Sequence, residues 1–250
     1  MSSLERLDKI LFNRSLFDSR SKAEQAILSG KVKVESVTVE KPGKKFNLDI
    51  VIEIDSSQTD YVSRGAQKLI KALDSFQLDV TNLTCIDLGA STGGFTEVLL
   101  ERNCLKVYCI DVGTGQLHPR ILSDKRVLNF EKTHVKELTS TLIPELVDLI
   151  VIDVSFISLT KVLTYLPTFM RNEAEIVALI KPQFEVGKNN LSKGGIVKDT
   201  KLYSIVINEI KKFANSLNLT WLNHIESPIL GGDGNTEFLC HLRKSSGMNV

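Results

Sequence analysis

The sequence predicts an α/β protein in which a small α+β module precedes a larger, doubly wound domain with a mostly parallel sheet. Over residues 84–242, short apolar runs alternate with stretches of helical period, which is typical of a parallel sheet covered by helices on both faces. A glycine-rich turn joins the first of these strands to a helix. In the first 54 residues, two stretches with apolar residues at helical spacing precede short runs in which apolar and polar residues alternate. This pattern predicts the small module.

The small module begins with leucine and isoleucine at helical spacing, and a second helix follows. Ser21 with Glu24 three residues later forms the pattern of a capping box, and Gly30 is placed to end this helix. Lysine and valine then alternate as in a strand. The predicted elements of the module are helices over residues 4–11 and 21–30 and strands over residues 31–34, 37–39 and 46–54.

Charge is balanced over the whole chain but not within the module. The 250 residues include 31 Lys and Arg against 30 Asp and Glu, so no overall field would attract nucleic acid. Residues 1–45, by contrast, hold ten basic and six acidic side chains. A solvated surface is one explanation, and a local nucleic-acid site is the other. The candidate RNA contacts around the second helix and the strand after it are Arg14, Arg20, Lys22, Lys31 and Lys33.

Composition also limits the cellular setting. The N-terminus has no apolar signal core, and the most apolar stretch, residues 146–159, contains two aspartates, which predicts a buried strand and not a membrane span. Four cysteines without a C-x-x-C pair indicate buried thiols in a reducing compartment. The four histidines have no metal-ligand spacing, so we expect no metal. These features together predict a cytoplasmic protein without membrane association.

A polar stretch at residues 56–60 predicts the boundary between the two domains, at residues 1–58 and 59–250. The predicted strands beyond it are 85–88, 107–112, 126–130, 147–154, 175–181, 219–225 and 236–242, and the predicted helices are 69–76, 95–103, 159–170 and 201–216. In sheets of this kind, ligands bind at the carboxyl ends of the strands. Asp87, Asp111, Asp153 and Lys181 all fall at such ends, which makes them candidate site residues.

The larger domain is organised around residues 85–95, with the sequence CIDLGASTGGF. A strand, a glycine turn and a helix bring backbone N–H groups close to a ligand, and a Cβ would block that approach. The glycine spacing differs from that of the G-x-G-x-x-G dinucleotide motif. The Lys that follows the glycines in a Walker loop is absent here. The turn fits the adenosyl and methionine parts of S-adenosylmethionine better than a triphosphate; a tight turn without a ligand is the alternative. Asp111, 24 residues beyond Asp87, is placed to bind a nucleoside ribose.

Residues 4–47 resemble the S4 RNA-binding domain. The matching segments are R-L-D-K-I-L at residues 6–11, the stretch over residues 16–34 and K-P-G at residues 41–43. Glu35-Ser36 stands where that family usually has Asn-Gly in a hairpin. The resemblance implies that this module contributes RNA affinity.

Motif blocks over nearly the whole chain resemble the TlyA family, haemolysin-like ribosomal RNA 2′-O-methyltransferases. The blocks are residues 61–65 with 68–69, 87–95, 111–113 with 115–117, 153–159, 181–185, and 227–229 with 234–235 and 237–239. The resemblance implies S-adenosylmethionine as cofactor, ribosomal RNA within ribosomal subunits as partner, and cytidine as the expected nucleoside. Thr114 and residues 118–120 and 133–136 depart from the usual family segments.

The second half is also similar to FtsJ-type RNA ribose methyltransferases, whose hallmark is a Lys-Asp-Lys-Glu tetrad. The similarity implies catalytic roles for Lys68, Asp153, Lys181 and Glu237. The implied cofactor-binding residues are Asp87, Gly89, Ala90, Ser91, Thr92, Gly93, Phe95, Asp111, Val112, Glu131 and Asp153, and Arg64 joins the candidate RNA contacts. Two roles for Lys181 stay open: a general base for the ribose hydroxyl, or a group that orients its oxygen.

Three function classes follow from these observations. The first is an RNA 2′-O-methyltransferase, the second is a non-catalytic RNA- or ribosome-binding protein that keeps the fold, and the third is a membrane-lytic haemolysin. Methyl transfer to RNA in vitro separates the first two classes. Release of dye from liposomes tests the third.

Overall fold

The structure is a computed structural model that describes residues 4–17, 19–28, 30–54, 61–231 and 234–246. The chain forms two compact units, one up to Arg64 and the other from Gly65 onwards. Each unit has a hydrophobic core of its own. The predicted linker at residues 56–60, with the proposed boundary after residue 58, lies outside the described residues.

The first unit contains two helices and two small antiparallel sheets. Its elements are β1 (Glu5–Arg6), α1 (Leu7–Asn13), α2 (Arg20–Leu28), β2 (Val32–Val34), β3 (Val37–Thr38), β4 (Lys45–Phe46) and β5 (Ile52–Ile54). β2 lies between β3 and β5, and β1 pairs with β4. The core joins Leu7 and Leu11 of α1 to Ala23 and Ile27 of α2 and to Val32. The extended run predicted over residues 46–54 is thus two short strands in different sheets.

The hairpin between β2 and β3 turns at Glu35 and Ser36, whose φ angles are 50° and 63°. Two successive left-handed residues form the type I′ turn, which matches the twist of a hairpin. The Glu35 carboxylate accepts a hydrogen bond from the Val51 N–H at 3.1 Å, and the Ser36 hydroxyl donates to Glu53 at 3.0 Å. These contacts stabilise a turn that Asn-Gly would adopt with less strain.

The start of α2 differs from the predicted capping box. Ser19, and not Ser21, caps the helix, because its hydroxyl oxygen accepts a hydrogen bond from the Lys22 N–H at 3.2 Å. Ser21 is the second residue of α2 and is exposed. Both serines have a side chain suited to a helix start, so the sequence pattern does not distinguish them.

The second unit is a seven-stranded sheet with helices on both faces. Its elements are α3 (Gly65–Phe76), β6 (Thr84–Leu88), α4 (Gly94–Glu101), β7 (Lys106–Ile110), α5 (Pro119–Leu122), β8 (Val127–Phe130), β9 (Val147–Ile152), α6 (Leu159–Leu163), β10 (Met170–Ile180), α7 (Lys201–Ser216), β11 (Leu219–Glu226) and β12 (Phe238–Lys244). The strand order is β11-β12-β10-β9-β6-β7-β8. Within this sheet, as far as the structure describes it, β12 is the one strand that is antiparallel to its neighbours, β10 and β11.

Side chains alternate between the two faces of this sheet. Ile86, Ile150 and Ile176 share a core with residues of α6 and α7. Asp87, next to Ile86, instead contacts Thr96 of α4 on the other face. The prediction of an α/β fold with a mostly parallel, doubly wound sheet is therefore confirmed.

The segment between β9 and β10 contains the largest error in the predicted elements. The helix predicted over residues 159–170 ends at Leu163, a 3-10 turn follows at Pro167–Phe169, and β10 begins at Met170. Pro167 has no N–H to donate and cannot continue a helix. The early part of β10 was missed because its register shifts between Met170 and Glu175, which interrupts the regular strand pattern.

The most apolar stretch of the sequence, residues 146–159, forms β9 and the segment after it. Within the described ranges, no helix combines the length and apolar composition needed to cross a membrane. All four cysteines are described, and each is a buried free thiol. Burial raises the pKa of the Cys240 thiol to about 12, so this thiol stays protonated at neutral pH.

Candidate active site

The candidate site lies where the order of the strands reverses. The chain places β6, β7 and β8 side by side and then returns to place β9 on the other side of β6. At such a switch point the loops after neighbouring strands diverge and leave a crevice at their carboxyl ends. Asp111 follows β7, Asp153 follows β9 and Lys181 follows β10. Three of the predicted site residues therefore share one edge of the sheet.

The glycine loop after β6 requires glycine at two positions. Gly89 has a φ of 87°, and a Cβ on it would lie 2.4 Å from the backbone oxygen of Asp153. Gly93 has a φ of 98°, and a Cβ there would lie 2.9 Å from the Leu117 side chain. The loop after β6 can thus approach the loop after β9 closely, before α4 begins at Gly94. This approach brings the predicted cofactor loop next to Asp153.

Two acidic residues hold the neighbouring loops through backbone donors. The Asp111 carboxylate accepts hydrogen bonds from the Ser91 N–H at 2.8 Å and the Gly113 N–H at 2.7 Å. Glu131 accepts a hydrogen bond from the Gly115 N–H at 2.8 Å, and this bond holds the pKa of Glu131 below its ordinary value. Asp111 therefore ties the glycine loop to the loop after β7.

A cavity of about 770 Å³ opens in this crevice and falls within the size range of small-molecule sites. Five residues of the predicted cofactor set line it: Gly89, Ser91, Asp111, Val112 and Asp153. The other members of the set, which do not line it, are Asp87, Ala90, Thr92, Gly93, Phe95 and Glu131. Their contact with a cofactor stays a prediction. Residues that the sequence did not single out also line the cavity, among them His134, Ser155, Phe156 and Lys161.

Asp87 is fully buried behind the glycine loop. Its Oδ2 accepts a hydrogen bond from the Thr96 hydroxyl at 2.6 Å, and its Oδ1 has no hydrogen-bond partner among the described residues. Burial raises the pKa of Asp87 to about 7, against the opposing effect of the Thr96 hydrogen bond, and the negative charges of Asp153 and Asp111 add to the increase. Asp87 thus links β6 to α4 and has no cationic partner among the described residues.

The four residues of the predicted tetrad form one continuous chain of charges. Lys68, on α3, donates a hydrogen bond to Glu237 at 2.7 Å and lies 3.9 Å from Asp153. The Lys181 ammonium lies 2.7 Å from Asp153 Oδ1 and donates a hydrogen bond to the Ser155 hydroxyl at 2.9 Å. All four side chains are largely buried; the most exposed, Asp153, keeps 22% of its area accessible. Acidic and basic groups alternate along this chain, so each charge lies beside an opposite one.

The loop before β12 is built to admit the Glu237 carboxylate. A Cβ on Gly231 would lie 2.4 Å from Glu237 Oε1, so a larger residue there would displace the carboxylate. Asn235, itself buried, accepts a hydrogen bond from the Val197 N–H at 3.0 Å and donates to the Gly195 carbonyl at 3.1 Å. These bonds tie the Glu237 loop to the loop between β10 and α7.

An exposed aromatic side chain stands at the mouth of the cavity. Phe156 is 91% exposed and has a φ of 64°, a left-handed conformation that is strained for an aromatic residue. Its ring packs against that of Phe184, with 5.1 Å between the ring centroids. Both residues line the cavity, and each follows a tetrad residue by three positions. The recurrence of Phe at this spacing is the sequence signal that could have identified them.

The predicted RNA contacts in the first unit are partly engaged within that unit. Arg20 donates to the buried Asp8 at 2.7 Å, and Arg6 donates to the same carboxylate at 2.9 Å. Arg14 donates to the Ile50 carbonyl at 2.9 Å. The remaining members of the set are Arg64, which forms an ion pair with Glu40, the exposed Lys22, and the partly exposed Lys31 and Lys33. RNA contact by these six residues stays a prediction.

The fold agrees with comparisons to known proteins. The FtsJ-like methyltransferase family matches residues 61–244, and the S4 domain family matches residues 5–49. The TlyA protein of Mycobacterium tuberculosis, named a 16S/23S rRNA (cytidine-2′-O)-methyltransferase, is 40% identical over 97% of this chain and 91% of its own length. The chain belongs to the TlyA family of FtsJ-like methyltransferases.

Other members of the TlyA group carry a different name. Hemolysin A of Brachyspira hyodysenteriae is 39% identical over 94% of this chain and 98% of its own length. A solved structure from Streptococcus thermophilus, described as a presumed hemolysin, has 36% identity and a TM-score of 0.77 over 98% of this chain and 90% of its own. The resemblance inferred from the sequence blocks is therefore confirmed, for the methyltransferase part and for the S4 part.

Proposed function

We propose that this protein methylates a ribose 2′-OH of ribosomal RNA, with cytidine as the nucleoside and S-adenosylmethionine as the methyl donor. The observation that carries the proposal is the chain of charges from Glu237 through Lys68 and Asp153 to Lys181, in which Asp153 lines the cavity. These are the residue types of the tetrad in FtsJ-type ribose methyltransferases. The name of the Mycobacterium tuberculosis relative supports the same activity.

The cavity fits the adenosyl and methionine parts of the proposed cofactor. When bound, the cofactor supplies a methyl group on a positively charged sulfonium. The glycine loop allows close approach at Gly89, and the Asp111 carboxylate keeps lone pairs for ribose hydroxyls beyond the two backbone N–H groups that it binds. Val112 is exposed on the cavity wall, where an apolar side chain suits a nucleobase.

The geometry around Lys181 supports a role in orienting the ribose oxygen. A charged lysine has three donors. One of them binds the Ser155 hydroxyl, and the 2.7 Å contact with Asp153 Oδ1 is an ion pair without hydrogen-bond geometry, so Lys181 keeps donor capacity for a ligand. An ammonium has no lone pair, so in this state Lys181 holds the 2′ oxygen and does not accept its proton. Positioning of this kind can supply much of a rate acceleration. Base catalysis would instead require that Lys181 first lose a proton.

The S4 unit supports ribosomal RNA as the substrate. The S4 family matches residues 5–49, and the basic surplus of the sequence lies in the same region. Phosphate contacts by lysine and arginine supply affinity without sequence readout. We infer that this unit adds affinity for structured RNA within ribosomal subunits, and from that substrate we also propose a cytoplasmic location.

The proposal is tested by mapping ribose methylation on ribosomal RNA from cells with and without this protein. We expect one or a few 2′-O-methyl groups on cytidines to disappear when the protein is absent and to return when purified protein acts on isolated subunits. Calorimetry in the presence of a chelator should show binding of S-adenosylhomocysteine without added metal. A methylation map that is identical in both cells, together with no transfer in vitro, would reject the proposal in favour of a non-catalytic RNA-binding protein.

A haemolytic activity is the second candidate, because one relative is named Hemolysin A and the Streptococcus thermophilus protein is described as a presumed hemolysin. Purified protein mixed with dye-loaded liposomes tests this activity directly. We expect no dye release at protein concentrations that support complete methylation of isolated subunits.

A further inference from the structure

The segment that begins at Asp153 and the turn that begins at Lys181 lie side by side and are joined at three places. At one end, the Lys181 ammonium lies 2.7 Å from Asp153. In the middle, the rings of Phe156 and Phe184 pack against each other. At the other end, Glu185 binds the start of α6. Each of the three places includes a residue of the cavity wall: Asp153 in the first, Phe156 and Phe184 in the second, and Ser158 in the third.

Glu185 uses both oxygens of its carboxylate for this third contact. Its Oε2 accepts a hydrogen bond from the Ser158 hydroxyl at 2.7 Å, and its Oε1 accepts one from the Leu159 N–H at 2.8 Å. Ser158 precedes the first residue of α6, but its own side chain makes no capping hydrogen bond. Glu185 therefore supplies the cap for α6 from a different part of the chain, after β10. Hydrogen bonds to a carboxylate are stronger than those between neutral groups.

The turn that carries Glu185 is itself tightly closed. The Phe184 N–H donates to the Lys181 carbonyl at 2.9 Å, and the Glu185 N–H donates to the Pro182 carbonyl at 3.0 Å. Pro182 is buried and has a fixed φ. Because the turn is closed in this way, a displacement of Glu185 would also displace the backbone of Lys181, four residues earlier.

We propose that Glu185 is a positioning residue for Lys181. By holding Ser158 and Leu159 it fixes the turn after β10 against the segment after β9, and so sets the place of the Lys181 ammonium between Asp153 and Ser155. This inference rests on the proposed function. The acceleration that comes from correct placement is sensitive to displacements of about 1 Å, which can cost about 100-fold in rate.

Glu185→Ala tests the proposal, with Glu145→Ala as a matched control. Glu145 also binds two donors, Lys106 at 2.6 Å and the Tyr108 hydroxyl at 2.7 Å, but near the amino ends of β7 and β9, away from the cavity. We expect Glu185→Ala to lower the single-turnover rate of methyl transfer about 100-fold. Its affinities for S-adenosylhomocysteine and RNA should stay within about threefold of wild type, since Glu185 itself does not line the cavity. Glu145→Ala should transfer methyl groups at the wild-type rate.

A double variant separates positioning from general destabilisation. In the Lys181→Ala background, Glu185→Ala should cause no further loss of rate, because the group that it positions is already absent. Glu185→Gln keeps one acceptor oxygen for the two donors and should lose about tenfold in rate; this variant takes the place of Glu185→Ala if the latter does not fold. A rate within threefold of wild type in either folded variant, or an equal loss in both backgrounds, would overturn the proposal.

Hydrogen exchange keeps this test distinct from the test of function. Glu185→Ala should increase amide exchange over residues 156–163 and 181–186, whereas Glu145→Ala should not. If the wild-type protein transferred no methyl group to RNA, the proposed function would fail. Unchanged amide exchange in these two segments of Glu185→Ala would independently overturn the proposed link between them.

Discussion

Among the described residues, each unit has one aspartate closed to solvent, Asp8 in the first and Asp87 in the second, and the two differ in their partners and in their depth. Burial by itself raises the pKa of Asp8, but hydrogen bonds from Arg6 and then Arg20 outweigh it and hold this pKa below its ordinary value. Asp87 has only the Thr96 hydroxyl, and burial raises its pKa to about 7. Both side chains are closed to solvent, but Asp87 lies much deeper in its unit than Asp8. Depth and partners together therefore stabilise the anion of Asp8 and destabilise the anion of Asp87.

The difference between Asp8 and Asp87 shows that basic side chains have different roles in the two units. In the first unit, two arginines neutralise Asp8 and join the start of α1 to the start of α2, so part of the basic surplus stabilises the fold. In the second unit, Lys68 pairs with Glu237 and Lys181 with Asp153, whereas Asp87 has no cationic partner among the described residues. The positive charge of a sulfonium cofactor bound nearby would favour the anion of Asp87.

The sharpest test of this contrast is Lys181→Ala. We expect a loss of roughly two to four orders of magnitude in single-turnover methyl transfer, while the affinities for S-adenosylhomocysteine and RNA are retained. Lys181→Arg should fail as well, because a guanidinium is broader than an ammonium and does not fit the space between Asp153 and Ser155. A transfer rate within about tenfold of wild type for Lys181→Ala would leave Lys181 as an ion-pair residue without a catalytic role.

The second test uses pH and Asp87→Asn. Because the folded pKa of Asp87, about 7, lies above its unfolded value, the folded state keeps a proton that the unfolded state releases between about pH 4 and pH 7. The stabilisation from this group is present below pH 4, falls as pH rises and is absent above pH 7, with a slope of up to about 1.4 kcal/mol per pH unit. Asparagine cannot ionise, so the difference in unfolding free energy between wild type and Asp87→Asn should change across this range. A constant difference from pH 4 to pH 7 would contradict the raised pKa.

Asp8→Asn should give the opposite pH dependence. The folded pKa of Asp8 is lowered, so its stabilisation is present above the unfolded pKa of about 4 and is lost as pH falls through the folded value. At neutral pH we expect Asp8→Asn to lower the stability of the first unit by about 1–2 kcal/mol, a value reduced because both arginines are nearly half exposed. Urea unfolding monitored by hydrogen exchange measures this loss of unfolding free energy. The affinity for S-adenosylhomocysteine is the control and should not change.

The fold was predictable from the sequence where local pattern and sheet geometry agree. Asp153 and Lys181 could be placed together because both follow strands of one parallel sheet. Lys68 and Glu237 came only from family resemblance, since no local pattern indicates that a lysine on α3 meets a glutamate before β12. Glu185 was missed for a related reason: its hydrogen bonds cross 26 and 27 positions of the sequence and depend on the pairing of β9 with β10.

Charge surplus was a poorer guide to individual residues than to the module. The sequence put Arg20 among the RNA contacts because it is basic and stands at the start of a helix. The structure shows that its guanidinium holds the buried Asp8, although 47% of the side chain remains exposed. A substitution of Arg20 would therefore change stability and RNA affinity together, and it cannot test RNA binding alone.

The smallest expected effect belongs to Lys22 and Lys33, which test RNA binding without disturbing Asp8. Lys22→Gln combined with Lys33→Gln removes two positive charges, and glutamine at position 33 avoids placing a second carboxylate opposite Glu53 across β2 and β5. If both lysines contact phosphates, the slope of log affinity against log salt should decrease by roughly 1.5 and affinity for ribosomal RNA should fall by about tenfold. Lys211→Gln with Lys212→Gln on α7 is the matched control, since it removes the same charge from exposed lysines of the second unit. Equal salt slopes for the two double variants would show that the first unit contributes no specific phosphate contacts through Lys22 and Lys33.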